Sequence, residues 1–266
     1  MTLNFAVLSA PSPQQNQRQR PLLHHTRAIV LKKVAYADSS LIVTAYTEKF
    51  GLQHYIIKGA RRVSKSGHSP AGMYQPAALL DMMVYNYPHK PLNYTKEVKW
   101  GLLYQNVLTQ VVKNAVATMM MELLTKCVKE PEPNPELFGF VEQYLRVLDE
   151  AEPAVVAAMP LHFMLQLAAH LGFQIENNYC PDAPLLDLTE GRFVHHKPLH
   201  TLYLEGLLAA VASQLLSTNS AVTLYRVKTT LAQRRQLISA FERFYDLHIA
   251  QFGSLKTVAV LEAVLA

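Results

Sequence analysis

Four basic side chains fall within eight residues of the segment KGARRVSK, the densest group of phosphate-binding residue types in the chain. They are Lys58, Arg61, Arg62 and Lys65. Lysine and arginine bind phosphate oxygens through their positive charge and their several N–H donors. The segment therefore predicts a phosphate-binding loop; an exposed charged loop without a ligand is the alternative interpretation.

The charges of the chain are unevenly distributed between its two parts. Residues 23–100 contain eleven Lys or Arg and four Asp or Glu, a net charge of +7. Residues 101–266 contain twelve basic and sixteen acidic residues, a net charge of −4. Arg18 and Arg20 of residues 1–22 add +2, which gives +5 for the whole chain. This split predicts that the first part binds a polyanion, whereas the second part is expected to bind protein rather than DNA.

Five short apolar stretches rich in β-branched and aromatic residues follow one another in the first part. They are TRAIVLKKV (26–34), SLIVTAYT (40–47), LQHYIIKG (52–59), ALLDMMVYNY (78–87) and LNYTKEVKW (92–100). Polar turn residues separate them, and Gly51 can supply the positive φ of a hairpin turn. Five strands at nearly regular spacing predict a small antiparallel β-barrel.

Tyrosines accompany the basic residues: seven of the thirteen lie between positions 36 and 94. Binders of single strands combine a basic groove with aromatic rings, and each stacked base contributes about 1–3 kcal/mol. Barrels of the OB type bind along strands two and three and the adjoining loops. This geometry adds Tyr46, His54, Tyr55 and Lys90 to the predicted binding path, with burial in the barrel core as the alternative for either tyrosine. Lys32 and Lys33 of the first strand are included as neighbouring basic residues.

After Trp100 the apolar residues recur every three or four positions, which indicates helices. The predicted helices cover 102–124, 137–148, 160–171, 202–216, 224–252 and 255–265, and the fifth is open to a break. Pro160 is expected to open the third helix and Gly172 to end it. Several prolines make residues 174–200 an expected irregular loop. Strands followed by helices predict the α+β class, with a barrel domain at 23–100 and a helical domain at 101–266.

Catalytic motifs are absent from the sequence, which contains no GxxxxGK[ST], GxGxxG, GxSxG or HExxH. One group has metal-ligand residue types: Cys180, His195, His196 and His200. Pro198 prevents His196 and His200 from sharing a helical face, and Cys180 has no partner at CxxC spacing. We expect no metal, no cofactor and no enzymatic activity; an enzyme with a metal held by this loop is the alternative.

A second basic group lies late in the chain and consists of Arg226, Lys228, Arg234 and Arg235. Arg226 and Arg234 are eight residues apart, which places them near one face of a helix. An ordinary solvated helix face is the preferred interpretation, and a secondary DNA-binding patch is the alternative.

Residues 1–22 include the Pro- and Gln-rich run PSPQQNQRQRP and are predicted to be a disordered extension. The first ten residues lack the charged start of a signal peptide. Two cysteines are too few for a disulfide framework, and no apolar run reaches the roughly 18 residues that cross a bilayer. A cytoplasmic protein without membrane contact is predicted.

Several segments together resemble the RecO family of bacterial recombination mediators, over nearly the whole chain from residue 23. They are TRAIVLKKVAYADSSLIVTAYTEKFGLQHYIIKGARR, YQPAALLDMMVYN, NPELFGFVEQYLRVLD and LGF at 171–173. The closing SLKTVAVLEAVL resembles the C-terminal helix of the family, with Thr257 where serine is common. The resemblance implies an N-terminal OB-fold and a helical domain, often with a zinc module of four cysteines. Residues 174–200 hold one cysteine, so an irregular loop without metal is expected in place of that module.

The resemblance also implies a function: binding of single- and double-stranded DNA, annealing of complementary strands, and loading of RecA with RecR onto strands coated by single-strand-binding protein (SSB). Some members bind the acidic C-terminal tail of SSB in the helical domain. Lys58, Arg61 and Arg62 of KGARR, with the neighbouring Lys65, are the DNA-binding positions it implies. An OB-fold RNA-binding factor is the alternative, because phosphate electrostatics alone do not distinguish DNA from RNA.

Overall fold

The computed structural model describes residues 22–63, 69–87 and 90–265, so the predicted disordered extension lies outside the described residues apart from Leu22. The N-terminal domain contains five strands. These are β1 (Leu23–Tyr36), β2 (Ser40–Thr47), β3 (Gly51–Ile57), β4 (Leu79–Tyr85) and β5 (Asn93–Trp100), with a 3₁₀ helix at Pro70–Met73. All five predicted strands are confirmed, and the ends differ by a few residues.

The five strands form a closed barrel in the order β1-β2-β3-β5-β4. β1 is long enough to pair with both β2 and β4, and this double pairing joins the two sides of the barrel. All pairs are antiparallel except β3 with β5, which run parallel at Tyr55–Asn93 and Ile56–Tyr94. The predicted class, a five-stranded OB-type barrel followed by a helical domain, is confirmed, with this one pair departing from a purely antiparallel barrel.

Alternate residues of the barrel strands enter two different cores. Ala28 and Val30 belong to the interior of the barrel. Ile29, Leu31 and Tyr46 point outward and join the core of the helical domain. Because successive side chains of a strand point to opposite faces, one strand serves both cores.

The helical domain contains six helices among the described residues. They are α1 (Val111–Cys127), α2 (Pro135–Glu150), α3 (Pro153–His170), α4 (Gly206–Leu216), α5 (Leu231–His248) and α6 (Val258–Val264), with a 3₁₀ helix at Ala221–Arg226. The break left open within 224–252 is present, because Thr230 and Gln233 form a capping box that starts α5.

The predicted start of the first helix at Leu102 is wrong, because α1 begins at Val111. The Asp149 carboxylate accepts hydrogen bonds from the backbone N–H groups of Gln105, Asn106 and Val107 at 2.7–2.9 Å. These contacts hold the connection in a turn, while Val107 is still fully buried. Val107 is apolar because it is buried in a turn, and its spacing from the apolar residues of α1 resembles that of a helix.

The third helix begins at Pro153, so the prediction that Pro160 opens it is wrong. Proline is favoured at the first helical position, and Pro153 occupies it, while Pro160 lies inside the helix. The helix ends before Gly172, whose φ of 87° confirms the predicted stop. α3 is long and apolar enough to cross a bilayer, but 67% of it is buried within the protein, as in the central helix of a globular domain.

Residues 174–200 are not irregular throughout, and the domain is not wholly helical. β6 (Leu185–Asp187), β7 (Arg192–Val194) and β8 (Tyr203–Leu204) form a small sheet in the order β7-β6-β8. The Asp187 carboxylate accepts from the N–H groups of Thr189 and Glu190 and shapes the turn between β6 and β7. Strands of two or three residues are too short to show an alternating pattern, which explains the wrong prediction.

An ion-pair network joins the barrel to the helices. The Arg27 guanidinium donates to Glu48 at 2.8 Å and to Glu142 of α2 at 2.7 Å, and it lies 5.1 Å from the centre of the Phe138 ring. The hydrogen bond with Glu48 is the largest influence on Arg27 and raises its pKa. Arg146 also bonds to Glu142, so this nearly buried carboxylate has two cationic partners.

Gly51 of the barrel lies directly against the backbone of the helical domain. Its φ is 59°, and a Cβ placed there would lie 2.1 Å from the carbonyl oxygen of Glu132. A side chain at this position would therefore meet both left-handed strain and the backbone of the opposite domain.

We predict that Gly51→Ala destabilises the protein by about 2–4 kcal/mol, the combined cost of left-handed strain and overpacking. Gly139→Ala is the matched control, because Gly139 lies within α2 and has no neighbour within 4 Å of an added Cβ. The control should be neutral or stabilising by about 0.5–1 kcal/mol. Denaturant unfolding measures both changes; equal midpoints for the two variants would contradict the close contact.

Candidate nucleic-acid interface

The free side of the barrel is a continuous surface formed by β1, β2, β3 and β5. Register pairs Val34 with Ile42, Ile42 with Ile56, and Ile56 with Tyr94, which gives one row across four strands. Residues paired in register point to the same face of a sheet. We call this surface the outer face and define it by Lys32, Val34, Tyr36, Ile42, Thr44, His54, Ile56, Lys58 and Tyr94.

A bulge in β1 brings Lys32 onto the outer face. The register shifts between Val30 and Lys32, so that Lys32 pairs with Thr44 and Thr44 with His54. The extra residue changes which side chains of β1 point outward. Beyond the bulge, Val34 and Tyr36 are 56% and 46% exposed, whereas Ile29 and Leu31 are covered by helices.

Lys58 and Tyr94 form the most complete pair on the outer face. The Lys58 Nζ lies 5.5 Å from the centre of the Tyr94 ring, and both residues are exposed. An exposed ring with an ammonium group beside it combines a stacking surface with a phosphate partner. Single strands are bound by this combination without regard to base sequence.

His54 adds no positive charge to the outer face at neutral pH. Burial is the main cause that lowers its pKa below the ordinary value, and the charge of Lys32 lowers the pKa further. Its Nδ1 lies 3.0 Å from the Thr44 hydroxyl, which fixes the ring. The charge of the outer face therefore comes from its lysines.

The prediction that Tyr46 and Tyr55 bind nucleic acid is wrong for this structure, because both rings are 1% exposed. Tyr55 points into the barrel, where burial raises its pKa. Tyr46 points outward, but its ring stacks 6.3 Å from Phe138 and its hydroxyl donates to the Asn134 carbonyl. Neither ring can stack on a base without unfolding the surroundings.

Tyr36 and Tyr94 are the exposed tyrosines that the sequence interpretation did not select. Tyr94 lies next to Asn93, which pairs with the interior residue Tyr55, so it must point outward. The alternation of side chains along β5 could therefore have identified Tyr94 as an outward-pointing ring. The outward direction of Tyr36 depends on the bulge in β1, which no sequence pattern reveals.

The two arginines of the predicted loop play different parts. Arg61 donates through Nη2 to the carbonyls of Ala37 and Asp38 at 2.8 and 2.6 Å, and its backbone N–H donates to Ser39. It thereby ties the β1–β2 turn to the end of β3. Arg62 is exposed and has no side-chain hydrogen bond among the described residues, and Lys65 lies outside the described residues.

Lys33 and Lys90 do not lie on the outer face. Lys33 pairs with the interior position Val43, and its Nζ donates to the Ala71 carbonyl at 3.0 Å. Burial lowers its pKa. Lys90 lies between β4 and β5, with its Nζ 4.1 Å from the centre of the Tyr87 ring.

The late basic group is not one patch, because Arg226 belongs to a 3₁₀ helix and Arg234 to α5. Arg234 donates to the Thr229 carbonyl at 3.0 Å and to the Leu265 carbonyl at 3.4 Å, and burial lowers its pKa. Arg235 faces Glu262 at 3.8 Å. The placement on one helical face is wrong. Arg226, Lys228 and Arg235 are exposed, but Arg235 is paired with Glu262, so Arg226 and Lys228 remain as secondary candidates.

The histidine loop does not form a ligand cluster, since no three His, Cys, Asp or Glu side chains of residues 22–63, 69–87 and 90–265 are placed to share a metal ion. His200 is engaged in the small sheet: its Nδ1 accepts from the Leu202 N–H, and its Nε2 lies 3.3 Å from Asp187. His195 lies against the Asp182 carbonyl. Absence of bound metal stays a prediction for the purified protein.

Two family models match the chain along the boundaries of the two domains. The first, described as the N-terminal part of recombination protein O, matches residues 22–102. The second, described as the C-terminal part of the same protein, matches residues 108–256.

Curated relatives match over almost their full length. The chain is 30% identical over 243 residues to the DNA repair protein RecO of Christiangramia forsetii, which covers 91% of this chain and 99% of the relative. It is 28% identical over 240 residues to the DNA repair protein RecO of Porphyromonas gingivalis, covering 89% of this chain and 96% of the relative. From the barrel, the helical domain and these matches together, the chain belongs to the RecO family of DNA repair proteins.

Proposed function

We propose that this protein is a non-enzymatic recombination mediator that binds DNA through the outer face. The observation that carries the proposal is the exposed pair Lys58–Tyr94 on a barrel surface that also presents Lys32 and Tyr36. Lysines bind the phosphates, and the two rings stack on bases. The exposed Arg62, at the edge of this surface, extends the phosphate contacts.

In this function the protein binds single- and double-stranded DNA, anneals complementary strands, and with RecR helps to load RecA onto strands coated by SSB. The net charge of −4 on the helical domain disfavours binding of DNA, so this domain serves as the surface for RecR, and a basic groove within it receives the acidic SSB tail. The family supports this assignment, and the two half-buried, unpaired cysteines agree with action in the reducing cytoplasm.

We predict that Tyr94→Ala weakens binding of a single strand by about 1–3 kcal/mol, the contribution of one stacked base. Tyr179→Ala is the matched control, because Tyr179 is exposed to a similar degree but lies in the helical domain. Fluorescence anisotropy with a labelled oligonucleotide measures both variants. Unchanged binding by Tyr94→Ala would show that the Tyr94 ring does not stack on a base.

The arginines should separate in a salt titration. We predict that Arg62→Gln flattens the dependence of log affinity on log salt by about 0.7, the value of one phosphate contact on a single strand. Arg61→Gln should instead lower the free energy of unfolding by about 1–2 kcal/mol, since it breaks the hydrogen bonds to the β1–β2 turn. If Arg61→Gln leaves the unfolding midpoint unchanged while Arg62→Gln leaves the salt slope unchanged, the two assignments are wrong.

Annealing of complementary strands coated by SSB, with and without RecR, tests the mediator function itself. We predict that the protein accelerates annealing and that RecR alters this activity, while Lys58→Gln combined with Tyr94→Ala abolishes the acceleration. Matched DNA and RNA competitors belong in the same assay. Stronger competition by RNA, with no annealing of DNA, would favour an RNA-binding factor instead.

A further inference from the structure

A cleft of about 480 Å³ lies between the barrel and the linker that joins α1 to α2. Its barrel side consists of the β2–β3 turn, the start of β3, and residues 86, 87, 90 and 91 between β4 and β5. Its other side is formed by Lys129, Pro131 and Pro133 of the linker. The volume falls within the range of about 300–1,000 Å³ that is usual for ligand sites.

Three exposed lysines from three separate segments converge on this cleft: Lys49, Lys90 and Lys129. Lys129 donates to the Ala250 carbonyl at 3.1 Å, and an ammonium group has two further N–H donors. The acidic neighbours Glu130 and Glu132 belong to the same linker but do not line the cleft. The lining is therefore positively charged.

The cleft offers charge rather than a stacking surface. One face of the Tyr87 ring is covered by the Lys90 ammonium at 4.1 Å from its centre. Phe50 packs edge-on against the His24 ring, with the ring centres 5.2 Å apart. Both rings are also half-buried, unlike the exposed Tyr94 of the outer face, so the lining suits a phosphate backbone better than a base.

The barrel side of the cleft is held in place by one buried amide. Asn93 is 1% exposed; its Nδ2 donates to Gln53 Oε1 at 2.9 Å, and its Oδ1 accepts from the Tyr87 N–H at 2.9 Å. The Gln53 side chain in turn donates to the Phe50 carbonyl at 2.8 Å. These bonds connect β3, β5 and the β4–β5 connection, so the wall is already organised before a ligand arrives.

The outer face and the cleft meet at His54, which belongs to the row of Lys32 and Thr44 and also lines the cleft. A strand lying across that row therefore arrives directly at the three lysines. We propose that the cleft receives the phosphate backbone of single-stranded nucleic acid leaving the outer face, and that Lys129 makes the helical domain part of the binding path. This inference rests on the proposed function of the outer face.

The test compares two lengths of labelled oligothymidylate on the full chain, one of about 6 nucleotides and one of about 20, since one OB-fold covers about 4–16 nucleotides. Two phosphate contacts contribute about 1.4 to the slope of log affinity against log salt, which corresponds to about 25-fold in affinity at 0.1 M salt relative to 1 M salt. Lys49→Gln combined with Lys129→Gln should therefore lose that affinity for the long strand and flatten its slope. Binding of the short strand should change less than about twofold, because the outer face holds it.

Lys197→Gln combined with Lys256→Gln is the control. Both lysines are exposed on the helical domain and lie outside the lining of the cleft, and replacing them removes the same amount of charge as the cleft variant does. Parent-like binding of the long strand by the cleft variant, or an equal loss with the control, would overturn the inference. An equal loss for both lengths would overturn it too, since the cleft would then belong to the primary site. Lys58→Gln combined with Arg62→Gln distinguishes failure of the outer face from failure of the cleft. If this variant binds strands of both lengths as the parent does, the proposed binding at the outer face is wrong. If it weakens binding while the cleft variant does not, only the proposed role of the cleft is wrong.

Discussion

Burial of outward-pointing barrel residues against the helices is the constraint on which the rest of the structure depends. Ile29, Leu31 and Tyr46 belong to the core of the helical domain, and Arg27 of the barrel forms an ion pair with Glu142 of α2. Arg146 also pairs with Glu142, so loss of Arg27 would leave this carboxylate one partner but would remove its ion pair with the barrel. The two domains therefore behave as one body, and the covered side of the barrel is lost to any ligand.

The same contact determines which side of the barrel remains available. Without the bulge in β1, the side chains beyond Val30 would continue the earlier alternation, and Lys32 would point away from Thr44. With the bulge, Lys32, Val34 and Tyr36 join the outward row of β2 and β3. A single extra residue thus places charge and an aromatic ring on the surface that the helices leave free.

The sequence was sufficient for the elements with a strong period and insufficient for details that depend on tertiary contacts. The five strands and the helical character of the second part followed from apolar spacing. The start of α1 and the small sheet did not, because Asp149 and Asp187 hold backbone N–H groups that no local pattern reveals. Of the predicted binding residues, Lys58, Arg62 and Lys32 are exposed at or beside the outer face. Tyr46 and Tyr55 are buried, since composition does not show to which face a ring points.

The central claim is that nucleic acid contacts the exposed tyrosine rings of the barrel, Tyr36 and Tyr94, and not the buried ones. Photochemical crosslinking of a single strand carrying 5-iodouracil, followed by mass spectrometry of the crosslinked peptides, tests it most directly. Crosslinks should form at Tyr36 and Tyr94 and be absent at Tyr46 and Tyr55. Crosslinks confined to the helical domain, or formed at Tyr46 and Tyr55 in the folded protein, would contradict the account.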